Sequence, residues 1–504
     1  MVTIPEIFAS LAQSQRTANC PAIIGRYAVT FKQLYENAQS RSAQLRSLGI
    51  GTGDVIAIIS YNEVAFFEYL IATTLLGAAL LPLSPALPNR DLLYLLHESQ
   101  AKHCFVSGII DAEKAEQLEA ALLTKFSHIE QTTRGSKEYP DDLFPSPDSV
   151  CWISTTGGST GSPRLFAASH QSLLTNLMIN AVEWGWKDYP LHLALAPLSH
   201  GIGFCHALGQ LIMGGTVVLA EKYSSSEAFV DRLLLGPMWT AVVPTMLHDV
   251  VEYSIENSKA LDQLQLIVSA GSLLDASLRD KVIGNRSERR LIEYYGSTEL
   301  GWVTWIEHKY GETRNGLIGN PTLGTRVRIV STEDNPMMPG EIGRIEKMGR
   351  PYTVPFIPGL VLIANSFERG WDTSGDMGLL DIDGNYLIVG REDEMITIGG
   401  QNVYPVEIEV VLREHSAVRD ALVVVTANRR LGWEITALVE VRGPIETDFF
   451  EQLLDFTAER LPKYKRPTVI ALIDSLPRTS SGKPQRTASV DPSRDDWNFR
   501  GRDD

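Results

Sequence analysis

Short apolar runs rich in β-branched residues, Val55-Ile56-Ala57-Ile58-Ile59, Thr216-Val217-Val218-Leu219 and Leu266-Ile267-Val268, alternate with helical patterns through the first two thirds of the chain. That alternation predicts an α/β fold of layered α/β subdomains with mainly parallel sheets. After Gly340 the texture changes to closely spaced strands and turns, including Tyr386-Leu387-Ile388-Val389 after the turn Asp383-Gly384-Asn385, which predicts a β-rich subdomain. A smaller α+β unit is expected from about Asp393. It holds a helix around Glu407 to Glu414, with His415 at its end, strands at Leu422-Val423-Val424-Val425 and Ile435-Thr436-Ala437-Leu438-Val439, and a helix from Asp448 to Arg460. The tail from Asp491 to Asp504 is polar and expected to fray.

The 504 residues suffice for about three domains. Hydrophobic content of 44% and charged content of 21% are those of a soluble globular enzyme, and a formal charge of -16 repels nucleic acid and anionic membranes. Small-molecule or protein partners are favoured instead. Cys20, Cys104, Cys151 and Cys205 form no Cys-x-x-Cys pair and read as buried free thiols in a reducing compartment. The N-terminal residues carry neither a basic region nor a long apolar stretch, so a cytoplasmic protein is expected. From Leu70 to Leu83 the chain is apolar apart from two Thr, but Glu68 bounds the segment and Pro82 interrupts it. It is too short to span a bilayer and reads as a buried helix feeding a strand.

Residues Thr156 to Pro163 read Thr-Gly-Gly-Ser-Thr-Gly-Ser-Pro and follow the strand-like run Val150-Cys151-Trp152-Ile153. With little side-chain bulk and unshielded backbone N–H groups, Gly157, Gly158, Ser159, Thr160 and Gly161 can wrap a polyanion such as a triphosphate, and Arg164 adds a fixed positive charge. An ordinary turn is the plain alternative. The Gly-Lys-Ser/Thr ending of a Walker A loop is missing, which argues against a P-loop NTPase. The same residues also match G-x-S-x-G, which would make Ser159 the nucleophile of an α/β-hydrolase. Beyond Gly311 the only His is His415, in a pattern that looks helical, whereas the His of such a triad normally comes from a loop.

More signals follow in order: Tyr295-Gly296-Ser297-Thr298-Glu299, Thr373-Ser374-Gly375-Asp376, Gly390-Arg391-Glu392-Asp393, Gly399-Gly400-Gln401-Asn402-Val403-Tyr404-Pro405, and Pro477-Arg478-Thr479-Ser480-Ser481-Gly482-Lys483. The first of these supplies an aromatic plane, a close-approach glycine, hydroxyls and a carboxylate within one turn, which are parts for stacking a purine, binding phosphate and holding Mg²⁺. Together with Thr30-Phe31-Lys32-Gln33-Leu34 and the segment Gly77 to Pro85, their order and spacing resemble the adenylate-forming ligases: acyl-CoA synthetases, adenylation domains and luciferases. The resemblance runs almost the whole length of the chain.

It implies a large N-terminal adenylation domain, 1–392, binding ATP and the acid, and a small mobile C-terminal domain, 393–504, carrying Lys483. It further implies two half-reactions, acyl-AMP formation from MgATP and a carboxylate, then displacement of AMP by a nucleophile. By the same similarity the loop from Thr156 to Arg164 holds the β/γ-phosphates and Tyr295 stacks on adenine. Gly271, Gly296 and Ser297 join that nucleotide site, Thr298 contacts the α-phosphate, and Glu299 holds Mg²⁺. Asp376 takes the ribose hydroxyls and Arg391 the ribose-phosphate region. Lys483 bridges the carboxylate and α-phosphate oxygens, where a cation offsets the repulsion between two anions. Asp393 is the hinge, and Gly399 and Gly400 shape the acceptor tunnel.

Some positions depart from the family. Pro163-Arg164-Leu165 stands where Pro-Lys-Gly is usual, Gly157 where Ser is, and Tyr294 where a Gly is. Pro197-Leu198-Ser199-His200-Gly201 resembles the segment lining the acyl pocket, with His200 counted among the catalytic residues. Gly201 cannot anchor an ammonium as the Asp of amino-acid-activating relatives does, which argues against an α-amino acid. Trp302, Val303 and Trp305 suggest an apolar wall for an aryl, alicyclic or medium aliphatic acid. The Gly399-Gly400 loop looks like the acyl-CoA synthetase version, which favours CoA as acceptor. An amine or a separate carrier protein stays open as the alternative.

Overall fold

The computed structural model describes residues 2–108, 110, 112–121, 125–129, 144–156, 163–221, 230–233, 235–256, 261–284, 288–312, 314–349, 352–363, 370–398, 401–428, 432–478 and 498–501. Among them, the unbroken apolar runs become strands covered on both sides. In Val55–Ile59, Ile56 and Ile58 enter one hydrophobic core while Val55, Ala57 and Ile59 enter another. Thr216–Leu219 and Leu264–Ser269 divide their residues in the same way between the first core and a third. A strand flanked by apolar layers has no face on which polar residues are favoured, so its sequence does not alternate.

Two large sheets result. One has seven strands among the described residues, in the order Val354–Pro355, Arg164–Ser169, Val150–Thr156, Ala79–Leu83, Val55–Ile59, His103–Val106 and Lys125–His128. The other has thirteen. Its parallel half runs from Arg290–Ser297 through Leu264–Ser269, Met238–Val242, Leu191–Ala194 and Thr216–Leu219 to Pro21–Ile24, with Ala28–Thr30 added antiparallel at that edge. Its antiparallel half continues from Arg290–Ser297 through Gly301–His308, Leu317–Pro321, Tyr386–Arg391 and Asp376–Leu380 to Gly343–Met348 and Arg326–Val330. The β-rich subdomain expected after Gly340 is this second half, although its first strands begin earlier in the chain.

The largest core lies between the two sheets, with the Val64–Leu75 and Gly201–Ile212 helices inside it. All twelve residues of Val64–Leu75 are buried, and the chain then enters the strand Ala79–Leu83, as the apolar segment predicted. Pro82 is tolerated in that interior strand because the ladder to Val150–Thr156 consists of the single pair Leu80 and Trp152. Glu68 is buried as well. Its carboxylate accepts from Arg41 Nε at 2.6 Å and from Asn37 at 2.8 Å, tying Val64–Leu75 to the helix Phe31–Ser47. Thr30 and Gln33 start the latter with reciprocal capping bonds of 3.2 and 3.0 Å.

The smaller C-terminal part has its own core, built from Ile398, Val403, the helices Pro405–Arg413 and Phe449–Arg460, and a four-stranded sheet. The architecture is therefore a large sheet-rich α/β part followed by a small α+β part, the expected class. Three local expectations need correction. The Pro405–Arg413 helix stops short of His415, whose ring instead packs edge-on against Phe449 and Phe456 at 5.9 and 5.1 Å. Part of the tail pairs rather than frays: Asn498–Gly501 adds an antiparallel strand to Val469–Leu472, satisfying its edge. Cys20 is exposed, whereas Cys104, Cys151 and Cys205 are buried as expected. No helix among the described residues is long and apolar enough to cross a membrane.

The Arg41–Glu68 pair is a buried charge pair, so removing one member strands the other. Glu68→Ala should lower unfolding free energy by about 3–5 kcal/mol, whereas the double change Arg41→Met with Glu68→Leu should recover most of it. Urea unfolding followed by circular dichroism checks both.

Candidate functional site

The site builds from Arg290–Ser297, the strand at which the large sheet changes from parallel to antiparallel. Its carboxyl end carries Tyr295, Gly296 and Ser297, and the turn Thr298-Glu299-Leu300 leads into Gly301–His308. That turn has almost no room. A Cβ on Gly296 would lie 2.2 Å from Gly301 O, and Gly301 itself has φ +67° with Tyr352 Cβ 2.5 Å from where its own Cβ would stand. Only glycine fits either position without a shift. Backbone groups on the turn are also held from outside: Thr353 donates to Thr298 O at 2.6 Å, Leu300 N donates to Ser297 Oγ at 3.1 Å, and Lys347 Nζ donates to Leu300 O. Burial lowers the Lys347 ammonium to about 8, with Asp372 acting in the opposite direction. Glu299 is half-buried on this turn.

Three expected residues, Tyr295, Asp376 and Arg391, come together beside it, joined by Ser374. The Tyr295 hydroxyl donates to Asp376 Oδ2 at 2.6 Å, Ser374 Oγ donates to the same oxygen at 2.5 Å, and Arg391 Nη1 lies 3.6 Å from Asp376 Oδ1. Burial, with the Asp376 carboxylate adding to it, holds the Tyr295 phenol well above its ordinary range, so this hydroxyl stays a donor. Arg391 Nε in turn donates to Asp393 at 3.0 Å, in the turn Glu392–Glu394 that leads to the smaller part. Gly271 is exposed just past Leu264–Ser269, with φ +98°.

Thr156 and Arg164 are register partners at the end of the Val150–Thr156 and Arg164–Ser169 ladder, with Arg164 exposed. Gly157, Gly158, Ser159, Thr160, Gly161, Gly399, Gly400 and Lys483 lie outside the described residues. His200 caps the Gly201–Ile212 helix at its amino end, and Gly201 opens it. Trp302 and Val303 are buried and Trp305 partly so. Trp302 meets Tyr352 edge-on at 4.9 Å, and Tyr352 OH is 2.8 Å from Cys205 Sγ. Tyr294 stacks on Trp184 at 5.1 Å, with His206 beside it. Burial drops His206 to about 4, so this aromatic block is neutral near pH 7.

Two buried residues that no motif singled out hold these pieces in register. Asn62 donates to Ala194 O and Ala196 O at 3.3 and 3.1 Å and accepts from Leu198 N at 2.8 Å, fixing the segment that delivers His200. Glu293 accepts from Leu274 N at 3.0 Å and from His308 Nε2 at 2.7 Å, tying the stretch after Gly271 to the strand that bears Tyr295. In sequence each is one polar residue near an apolar run, and its partners are far away in the chain.

Residues 11–350 match the sequence model of the family described as AMP-binding enzyme, and residues 407–483 match that of the AMP-binding enzyme C-terminal domain. The chain is 27% identical over 508 residues to a medium/long-chain-fatty-acid–CoA ligase of Mycobacterium tuberculosis, covering 94% of this chain and 87% of that one. In fold it is similar to an anthranilate CoA ligase in complex with anthranoyl-AMP, with TM-score 0.84, 21% identity and 96% of each chain covered. It is likewise similar to an o-succinylbenzoate coenzyme A synthetase of Bacillus subtilis in complex with ATP and magnesium ion, with TM-score 0.78, 24% identity, 95% of this chain and 98% of that one covered.

Asn62→Ala should leave buried carbonyls and an N–H without partners. The expected cost is about 3 kcal/mol, at the upper end of the range for stranding such groups. Denaturant unfolding measures it, and an effect below about 0.5 kcal/mol, the scale of a neutral surface change, would contradict the clamp.

Proposed function

This chain belongs to the family of AMP-binding enzymes, AMP-forming ligases among them, and from that premise we propose that it activates a carboxylic acid with MgATP to acyl-AMP and passes the acyl group to CoA. The observation that carries the reading is the hydrogen-bonded set Tyr295, Ser374 and Asp376, with Arg391 ion-paired to Asp376 at 3.6 Å, gathered at one strand end from positions some eighty residues or more apart. In the proposed site Tyr295 offers its ring to adenine, Asp376 accepts from the ribose hydroxyls, and Arg391 faces the ribose-phosphate region. The loop from Thr156 to Arg164 receives the β/γ-phosphates, and Thr298 contacts the α-phosphate. Gly271, Gly296 and Ser297 complete the nucleotide side.

Glu299 suits a hard divalent cation, being a carboxylate on a turn whose backbone Thr353 and Lys347 immobilise. Mg²⁺ held there would neutralise phosphate charge, which is the chemistry that makes the α-phosphorus open to an anionic nucleophile. Lys483 supplies the second positive charge, between the attacking carboxylate and the α-phosphate. The acid lies towards His200 and Trp302, with its remainder against apolar and neutral aromatic groups, so an aryl, alicyclic or medium aliphatic acid fits better than one with a charged far end. We assign residues 1–392 and 393–504 as the two domains, with Asp393 as their pivot and Gly399 and Gly400 on the acceptor side. Transfer to an amine or a carrier protein is the second reading, distinguished by supplying each acceptor to preformed acyl-AMP.

Lys483→Ala should keep the fold and lose about 10² to 10³ in acid-dependent ATP–pyrophosphate exchange, the usual worth of one electrostatic contact to a transition state. Near-unchanged exchange would remove Lys483 from the reaction. ATP-independent ester hydrolysis with Ser159 labelled by a serine-directed phosphonate would replace the whole reading by a hydrolase.

Asp393→Pro fixes φ near -65° at the pivot and should spare one half-reaction while abolishing the other. Single-turnover pyrophosphate release, measured beside final thioester formation, separates the two. Equal loss of both, or of neither, would show that the chain does not pivot there.

A further inference from the structure

The large and small parts of the chain have separate apolar cores: among the described buried clusters, those of the large part end at Ile388 and those of the small part begin at Ile396. Beside the Arg391–Asp393 joint, Tyr404 packs on Gly390. Further away, the seam is polar: Asn315 donates to Glu414 Oε1, and the other contacts are between charged groups. On the Pro244–Glu256 helix, His248 and Glu252 stand one turn apart on one face, and Arg442 of the small part reaches both. Arg442 Nη2 donates to His248 Nδ1 at 3.1 Å. A guanidinium can only donate, so His248 carries its proton on Nε2 and gives it to Asp275 Oδ2, 3.3 Å away. Asp275 is itself immobile, since it caps the helix Ala276–Ile283 by accepting from Leu278 N at 2.8 Å. Next to this chain, Arg419 Nη2 donates to Asp249 at 2.9 Å while its Nη1 lies 3.5 Å from Glu440.

We propose that Arg419 and Arg442 are positioning residues, forming with Asp249, Glu252 and the His248–Asp275 relay an electrostatic clasp that selects this orientation of the small part and so sets the balance between acid activation and acyl transfer. A seam of directional charge pairs holds one register and releases without exposing an apolar core, which a hydrophobic seam could not do. The same pairs add little to global stability where they are exposed, as Arg419 is with 42% of its side chain accessible, so their reversal changes orientation and not folding. The link to half-reactions rests on the activity proposed above; the orientation does not.

The test is a distance distribution between spin labels at Tyr310→Cys and Ile445→Cys in a Cys20→Ser background, all three positions being exposed. Arg419→Asp places a carboxylate against Asp249 and Glu440 and should shift or broaden the distribution; adding Asp249→Arg should restore it. Raising salt from about 0.1 M to about 1 M, which shortens the screening length from roughly 10 to roughly 3 Å, should move the unsubstituted chain towards the Arg419→Asp distribution. In kinetics, the ratio of pyrophosphate release to thioester formation should change about threefold or more in Arg419→Asp, a bias of roughly 0.7 kcal/mol, and return in the swapped pair. A distribution unmoved by both charge reversal and salt overturns the clasp, and a moved distribution with an unmoved ratio overturns the positioning role. If the unsubstituted chain releases no pyrophosphate with any acid, the activity reading fails while the distances still decide the clasp.

Discussion

The hydrogen bond from Tyr295 to Asp376 joins the two halves of the thirteen-stranded sheet at the point where strand direction reverses. On one side of Arg290–Ser297 the strands are parallel, with their carboxyl ends aligned; on the other they are antiparallel and return. A parallel half offers a crevice at those carboxyl ends, and the antiparallel half brings a wall to it. Neither half alone would place an aromatic ring, a carboxylate and a guanidinium within a few ångströms. Once Asp376 is bonded to Tyr295, Arg391 follows, because Asp376 and Arg391 are register partners in adjacent strands.

Around that bond, the site is rigid through backbone and buried polar contacts more than through the residues expected to meet a ligand. Gly296 and Gly301 allow a turn too tight for side chains, and Lys347 and Thr353 grip its carbonyls. Lys347 does this at a cost visible in its lowered proton affinity, since burial of an ammonium is unfavourable. Such a group persists when what it fixes matters more than its own desolvation, and what it fixes is the carbonyl one residue beyond Glu299. Asn62 and Glu293 serve the neighbouring segments in the same manner.

Much of this was legible in the chain. The β-branched runs announced buried strands, the Leu70–Leu83 segment announced a helix and strand, and the ordered motifs announced the residues that meet at Tyr295. What could not be read has a common physical cause. Asn62 bonds to residues over 130 positions away and Glu293 to a loop and a strand on either side of it, so neither has a local pattern. Gly301 and Tyr352 exclude each other's alternatives only in three dimensions. The tail strand Asn498–Gly501 forms because Val469–Leu472 presents an unpaired edge, a property of the sheet and not of the tail's own polar sequence. His415 has the pattern of a helical residue, yet aromatic packing on Phe449 and Phe456 holds it just past the helix end.

The buried bonds that brace the Tyr295 site and the charge pairs that join the two parts differ in how they respond to solvent. Within the large part, the bonds that brace the core and the Tyr295 strand, Arg41 to Glu68 and Glu293 to His308, are buried, so ions in solution reach them poorly, while pairs such as Arg26–Glu221 lie on its surface. Between the parts, Arg419 and Glu252 remain substantially exposed, and their interactions are open to screening and to competition from water. Buried bonds brace the Tyr295 strand, whereas the Arg419 and Arg442 pairs of the seam are open to screening, so a change at the seam leaves those braces in place. Asp376 and Arg391 sit at the boundary of these two regimes, the first buried and bonded inside the sheet, the second half-exposed and shared with Asp393. Arg391 thus links the joint to the Asp376 carboxylate beside the backbone bond from Glu392 N to Gly375 O at 2.8 Å, so the joint meets the site at its least buried edge.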